Sequence, residues 1–116
     1  MRTRVTRSFC FEAAHQLPWH SGKCRRLHGH NYRLEVTVEG PVGENGVVMD
    51  FDDLSAVVHR ELVDRYDHRY LNELIDNPTA EVVAHEAWKR LEAVGLPVVR
   101  LRLWETPESS VEILAG

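Results

Sequence analysis

The segment Lys23–Tyr32, KCRRLHGHNY, concentrates side chains that could bind a metal ion or move a proton. His28 and His30 are two residues apart, so in an extended backbone both imidazoles point to the same face. His15, which follows FEAA upstream, can supply a third ligand across a hairpin-like connection. Three histidines with an open fourth position are typical of a catalytic zinc site rather than a structural one. The sequence therefore predicts a metal site on these three residues.

Cys24 precedes His28 by four residues and has two interpretations. It could complete a His3Cys tetrahedral site, which would make the metal structural. Alternatively, it could stay unligated beside the metal and act as a base or nucleophile, because nearby cations favour the thiolate. Those cations are Lys23, Arg25 and Arg26.

Two other residues of reactive types are assigned no chemistry. Cys10 lies inside a predicted strand and is expected to be a buried, unreactive thiol. His20, in the turn-like stretch PWHSG, is expected to face solvent or substrate rather than the metal.

Carboxylates further along the chain could act with this site. Asp67 can hold the adjacent His68 in one tautomer, so that its imidazole takes or gives a proton near neutral pH. The alternative is a surface pair near a helix end, where histidine is favoured by the helix dipole. Glu105 follows apolar residues of the same parity, so its carboxylate either turns inward or turns to water. Turned inward, it could accept hydrogen bonds from two adjacent N–H groups of a heterocycle.

Length and composition limit the classes of protein. The 116 residues fit one domain, residues 1–116. A formal net charge of -4 argues against nucleic-acid binding. Two cysteines are too few for a disulfide framework, which favours a reducing compartment. The sequence has neither an apolar run of about 20 residues nor the apolar core of a signal peptide, so we expect a cytoplasmic protein with no membrane partner.

Hydrophobic patterning predicts six elements in the order strand, strand, helix, helix, strand, strand. Alternation of apolar and polar residues marks strands at 3–11, 31–40, 97–106 and 109–116. Helices are predicted to begin at the capping residues Asp50 and Thr79, and the second to end at Gly95. This order predicts an α+β domain, a four-stranded antiparallel sheet with two helices on one face. The two open sheet edges favour pairing with neighbouring subunits.

Six motifs are spaced along the chain: FEAAH at 11–15, CRRLHGHNY at 24–32, MDF at 49–51, DHRYLN at 67–72, NPTAE at 77–81 and ETP at 105–107. In order and spacing they resemble those of the 6-pyruvoyltetrahydropterin synthase family. The similarity is greatest to the bacterial branch that makes 6-carboxytetrahydropterin for queuosine synthesis. The resemblance implies the tunnelling fold (T-fold), in which ββααββ subunits join their sheets into a barrel. It also implies a homohexamer, a dimer of trimers, with active sites at subunit interfaces.

The resemblance also implies a role for each candidate residue. Zinc would bind the three histidines, and Cys24 would be the catalytic base. Asp67 and His68 would activate Cys24, commonly from a neighbouring subunit. Glu105 would anchor the pterin ring and Thr79 would contact it.

The implied substrate is 7,8-dihydroneopterin triphosphate. Carbon–carbon cleavage would release acetaldehyde and triphosphate and leave 6-carboxy-5,6,7,8-tetrahydropterin. In the pyruvoyl branch, triphosphate leaves and the side chain is only rearranged. A third branch, linked to folate synthesis, places an acidic residue where this chain has Cys24. The alternative from another class is a non-catalytic binding module stapled by zinc, with Cys24 as the fourth ligand.

Overall fold

A five-stranded sheet forms the framework of the molecule in the computed structural model, which describes residues 1–116. Neighbouring strands are antiparallel, except that β3 pairs parallel to β1. The α+β architecture and the four-stranded antiparallel sheet are therefore as predicted. The fifth strand, β3, was not predicted, because two residues cannot show an alternating pattern. In the spatial order β3-β1-β2-β4-β5, the strands are β1 (Arg4–His15), β2 (His28–Glu39), β3 (Arg69–Tyr70), β4 (Val98–Thr106) and β5 (Ser109–Leu114).

Two helical stretches follow the predicted capping residues. The Asp50 carboxylate accepts a hydrogen bond from the Asp52 amide, and the Thr79 hydroxyl accepts one from the Val82 amide. Gly95, with φ of +81°, follows the end of the second stretch. No helix has the length and apolar character needed to cross a bilayer. The first stretch is continuous through α1 (Phe51–Val58), a π-helical segment (His59–Val63) and α2 (Asp64–Tyr66), and the second is α3 (Ala80–Ala93).

The hydrophobic core lies between the helices and one face of the sheet. Alternate strand residues supply one side of it, such as Phe9 and Phe11 of β1 and Leu34 of β2. The helices supply the other side, with residues such as Leu54 and Leu91. The opposite face of the sheet is polar, and several of its arginines pair with glutamates across strands.

Cys10 lies on that polar face, and the prediction that it is a buried thiol was wrong. Its side chain is exposed because its neighbours Phe9 and Phe11 point into the core, and successive strand residues point to opposite faces. The alternation of the strand therefore decides the exposure of Cys10.

The hairpin of β1 and β2 positions the candidate ligands. β1 continues to His15, four residues beyond its predicted end, and the inward alternation of Phe9 and Phe11 extends through Ala13 to His15. Directly opposite residues are Ala13 with His30 and His15 with His28. Since paired residues in an antiparallel sheet share a face, all three histidines lie on the core side at the end of the hairpin.

Candidate metal centre and catalytic pockets

His15, His28 and His30 form a compact cluster of potential metal ligands. One ring nitrogen of each lies within 4.8 Å of those of the other two. His15 is buried and the other two are partly buried. Cys24 does not belong to this cluster. The arrangement can hold a metal ion with three nitrogen ligands, and it favours the interpretation in which Cys24 is not a ligand.

Main-chain carbonyls fix the tautomers of two of these rings. His15 Nδ1 lies 2.7 Å from the Pro78 carbonyl oxygen, and His28 Nδ1 lies 2.7 Å from the Arg26 carbonyl oxygen. A carbonyl oxygen only accepts, so each Nδ1 carries the proton, and a neutral ring then has its lone pair on Nε2. The two Nε2 atoms are 3.0 Å apart. Two lone pairs at this distance repel each other unless a cation lies between them, so the donor set fits a metal ion.

His30 supports the same conclusion independently. Its Nε2 atom is buried and has no hydrogen-bond partner, which is costly for a polar atom. Burial lowers the pKa of His30, while the Glu105 carboxylate acts in the opposite direction. A low pKa keeps the imidazole neutral at neutral pH, and a neutral imidazole is the form that binds metals.

Glu105 turns inward, which is one of the two orientations that the sequence left open. Its carboxylate oxygens lie 3.6 Å from His30 Nε2 and 4.0 Å from His15 Nε2, and its side chain is 26% exposed. The register between β4 and β5 shifts between Trp104 and Thr106, so Glu105 has no partner on β5. Such bulges commonly re-aim a side chain beside an active site. Glu105 thus places negative charge next to the cluster.

An open pocket of about 370 Å³ brings together Cys24, Thr79 and Glu105. Cys24 is partly exposed and belongs to a single 3-10 turn, Lys23–Arg25. His20 also lines this pocket and lies outside the histidine cluster. A thiol, a hydroxyl and a carboxylate therefore face one cavity, and the carboxylate also reaches the metal ligands. We call this cavity the Cys24 pocket.

Asp67 and His68 form an ion pair at the edge of the sheet. Asp67 Oδ2 lies 3.0 Å from His68 Nδ1, and Asp67 Oδ1 accepts from the Glu12 amide at 3.0 Å. His68 has a left-handed backbone (φ of 57°), and its amide donates to the Glu12 carbonyl. Its side chain is 75% exposed. The pair is held by the main chain of β1 but stays open to solvent.

The charges of this pair depend on each other. The pKa of His68 is raised mainly by its hydrogen bond to Asp67 and, next in size, by the negative charge of Asp67. The pKa of Asp67 is lowered mainly by the hydrogen bond from the Glu12 amide and, next in size, by the hydrogen bond with the His68 side chain. The arrangement therefore favours an imidazolium and a carboxylate, and a cationic imidazole can donate a proton.

The two candidate proton-transfer groups line different pockets in one chain. His68 lines an open pocket of about 540 Å³ together with Glu12, His30 and Arg69. The Cys24 pocket shares no residue with this His68 pocket. The structure therefore brings Cys24, Thr79 and Glu105 together and does not bring Asp67 and His68 to them.

Sequence reasoning missed the carbonyl oxygens of Pro78 and Arg26, which orient the metal ligands. A main-chain carbonyl has no residue-type signature, so the sequence could not reveal this contact. Sequence reasoning also gave no role to Trp19, which lines the Cys24 pocket. A tryptophan in the turn-like stretch PWHSG, next to a histidine, is the signal that could have drawn attention to it.

Comparison with known proteins gives consistent matches. The family model described as 6-pyruvoyl tetrahydropterin synthase matches residues 4–115. A 6-carboxy-5,6,7,8-tetrahydropterin synthase from Synechocystis is 43% identical over 100 residues, covering 80% of this chain and 78% of that protein. A dihydroneopterin monophosphate aldolase from Pyrococcus furiosus is 40% identical over 117 residues, covering 97% of this chain and 98% of that protein.

A solved structure with the same fold is the 6-pyruvoyl tetrahydropterin synthase of Caenorhabditis elegans. Its TM-score is 0.88 at 26% identity, over 100% of this chain and 97% of that chain. The similarity extends over the whole sheet and both helical stretches.

Proposed function

Because the chain belongs to the 6-pyruvoyl tetrahydropterin synthase family, we propose that it is a zinc-dependent carbon–carbon lyase. It converts 7,8-dihydroneopterin triphosphate and water to 6-carboxy-5,6,7,8-tetrahydropterin, acetaldehyde and triphosphate, in queuosine precursor synthesis. One observation carries the proposal. The facing Nε2 atoms of His15 and His28, with the unpartnered Nε2 of His30, could hold a metal ion, and the neighbouring pocket contains Cys24.

The residues of the chain divide the chemistry between them. Zinc held by the three histidines would act as a Lewis acid toward the side-chain hydroxyls of the substrate. Cys24, as the thiolate, takes a proton from the substrate side chain, and His68 gives or takes the second. Glu105 binds two adjacent N–H groups of the pterin ring, and Thr79 contacts the same ring. This anchoring keeps the reacting carbon within reach of Cys24.

The separation of the Cys24 pocket and the His68 pocket supports a site shared between subunits. A second copy of the chain would bring its own His68 to Cys24, because one copy has these groups in different pockets. The T-fold assembly, a homohexamer of two stacked trimers in the cytoplasm, would supply such interfaces.

Two further reactions are favoured by specific relatives. The Pyrococcus furiosus aldolase matches nearly the full chain, so retro-aldol cleavage of dihydroneopterin monophosphate is the second candidate. That cleavage would leave the phosphate on the released two-carbon aldehyde. The Caenorhabditis elegans structure favours triphosphate elimination to a pyruvoyl product as the third.

Product identification tests the proposal. The zinc-loaded protein is incubated with 7,8-dihydroneopterin triphosphate, and separately with the monophosphate, and the products are identified by mass spectrometry. We expect acetaldehyde and the 6-carboxy product from the triphosphate. A phosphorylated two-carbon aldehyde from the monophosphate would favour the aldolase, and a pyruvoyl product would favour elimination. Full zinc content with neither substrate consumed would contradict all three reactions.

Cys24→Ala separates the lyase from a zinc-stapled binding module. The lyase should keep its zinc and melting temperature and lose about 10²- to 10⁴-fold in turnover. A structural site should lose metal and stability together. Cys10→Ala is the matched control, because that thiol is exposed on the polar face of the sheet and should leave zinc content and turnover unchanged.

A mixing experiment tests the shared site. Inactive Cys24→Ala and inactive His68→Asn proteins are combined under conditions of subunit exchange and assayed. Mixed oligomers contain interfaces with an intact Cys24 on one chain and an intact His68 on the other, so some activity should return. No recovery after exchange has been verified by mass spectrometry would contradict the shared site.

A further inference from the structure

Trp19 is an exposed aromatic residue that is nevertheless held in place. The residue is 64% exposed, and its indole Nε1 donates a hydrogen bond of 2.6 Å to Asn77 Oδ1. It lines the Cys24 pocket together with Cys24 and Glu105. Most of the residue is exposed, so holding the indole costs side-chain entropy that apolar burial offsets only in part. An aromatic residue fixed at the wall of a pocket is suited to contact a ligand.

The loop that carries Trp19 is closed on itself and on Cys24. The Leu17 amide donates to the Cys24 carbonyl at 3.0 Å, and the His20 amide donates to the Leu17 carbonyl at 2.9 Å. The Gly22 amide donates to His20 Nδ1 at 2.9 Å. These bonds limit how far Trp19 can move relative to Cys24.

Asn77 begins a short segment that contacts both Trp19 and the histidine cluster. Asn77 has a left-handed backbone, with φ of 50°, a conformation that asparagine adopts more readily than most residues. The next residue, Pro78, offers its carbonyl to His15, and Thr79 after it lines the Cys24 pocket. One tripeptide therefore fixes the position of Trp19, a metal ligand and a pocket hydroxyl.

We propose that Trp19 contacts the substrate, packing its indole face against the flat heterocycle whose N–H edge is held by Glu105. Asn77 is the positioning residue that holds the indole in this place. Planar heterocycles stack on tryptophan with substantial affinity, and stacking is compatible with hydrogen bonds at the ring edge. This inference rests on the proposed function, since it takes the substrate to be a pterin.

The test measures binding of neopterin, a stable pterin without phosphate, to zinc-loaded protein by isothermal titration calorimetry. Trp19→Ala should weaken binding about 5- to 150-fold, the range expected for loss of one stacked ring. Trp19→Phe keeps an aromatic face and should weaken it less. In turnover assays KM should rise more than kcat falls, because the contact is made with the bound substrate throughout. Unchanged zinc content and melting temperature show that each variant is folded.

Two substitutions of Asn77 isolate its positioning role. Asn77→Gly tolerates the left-handed backbone but lacks the acceptor, and should weaken neopterin binding about 2- to 10-fold, the cost of ordering a free side chain. Asn77→Asp keeps an oxygen at the same position and should restore binding to within about twofold of wild type. Trp104→Phe is the control for loss of an indole elsewhere, since Trp104 contacts Arg33 and Arg102 and does not line the Cys24 pocket.

The outcomes distinguish the two levels of the argument. Tight binding and turnover by wild type with unchanged neopterin affinity in Trp19→Ala would overturn the role of Trp19 and leave the proposed function standing. Equal affinity in Asn77→Gly and Asn77→Asp would overturn the positioning role of Asn77. A zinc-loaded wild-type protein that neither binds neopterin nor consumes either phosphate ester would overturn the proposed function and this inference with it.

Discussion

The three histidines of the histidine cluster, His15, His28 and His30, and the separate His68 are the same residue type in opposite surroundings. His15 and His28 present Nδ1 to neutral main-chain carbonyls, whereas His68 presents Nδ1 to the carboxylate of Asp67. Burial lowers the pKa of His30, while the contact with Asp67 raises the pKa of His68. The protein thus sets the protonation state of an imidazole by burial and by the partner of its second nitrogen.

The two regions also differ in how the backbone holds them. The cluster lies on paired strands, where His15 is directly opposite His28. His68 lies outside regular pairing in a left-handed conformation and is held by its amide contact with Glu12. Rigid strands suit a metal site that needs fixed distances, and an exposed edge suits a group that must meet another molecule.

Removing one cluster histidine should have the largest effect. His28→Ala deletes a candidate ligand that no neighbour can replace. Loss of a group that only hydrogen-bonds to a metal ligand costs up to about 100-fold in metal affinity, so loss of the ligand itself should cost more than about 100-fold in zinc affinity. Turnover should become undetectable. We expect a chelator to lower the melting temperature of wild type and to leave that of His28→Ala unchanged. Zinc content after dialysis, measured by mass spectrometry, checks this. His85→Ala, at an exposed histidine of α3, is the control, and a fully zinc-loaded His28→Ala would refute the assignment.

Replacing His68 should affect catalysis and spare the metal. His68→Asn suits the left-handed backbone, so the fold should be kept, while turnover should fall about 10²- to 10⁴-fold through loss of a proton-transfer group. The kcat, the zinc content and the melting temperature are measured together. Loss of zinc in this variant would show that the two regions are not functionally separate.

The sequence predicted most of the elements that build the cluster. Regular alternation along β1 and β2 identified the strands, and the spacing of His28 and His30 placed both on one face. The caps at Asp50 and Thr79 were predictable because their side chains make local hydrogen bonds. These features depend on neighbours within a few residues, which the sequence displays directly.

Features that depend on distant contacts could not be predicted. The bulge that turns Glu105 inward follows from the pairing of β4 with β5, and the π-helical segment His59–Val63 interrupts an ordinary apolar repeat. The contact of Asp67 with the Glu12 amide joins residues 55 positions apart. Sequence could name Asp67 and His68 but could not show that Glu12 holds them in place.

Asp67→Asn tests the cause of the His68 charge. The hydrogen bond and the negative charge of Asp67 raise the pKa of His68, so in the variant the pKa of His68 should lie closer to the ordinary 6.5. NMR titration of the His68 imidazole measures this change. Ionised Asp67 stabilises the fold above its ordinary pKa of 3.8, and that contribution is lost as pH falls through its lowered pKa. Protonated His68 stabilises the fold below pH 6.5, and this stabilisation is lost as the pH rises through the raised pKa of His68.

Wild type should therefore exceed Asp67→Asn in melting temperature mainly between about pH 4 and about pH 6.5, where both groups are charged. The difference should shrink above the raised pKa of His68. A constant difference across this range would show that the two proteins differ through packing rather than through the ion pair.

Glu12→Gln should have the smallest effect. The Glu12 carboxylate lies 3.6 Å from His68 Nε2 and is the least of the causes that raise the pKa of His68. The substitution leaves intact the main-chain contacts of Glu12 with Asp67 and His68, so it removes only this charge. The pKa of His68 should fall less than in Asp67→Asn, and the fall should shrink as salt rises from about 0.1 M to about 1 M. A larger fall than in Asp67→Asn would mean that Glu12, rather than Asp67, sets the charge of His68.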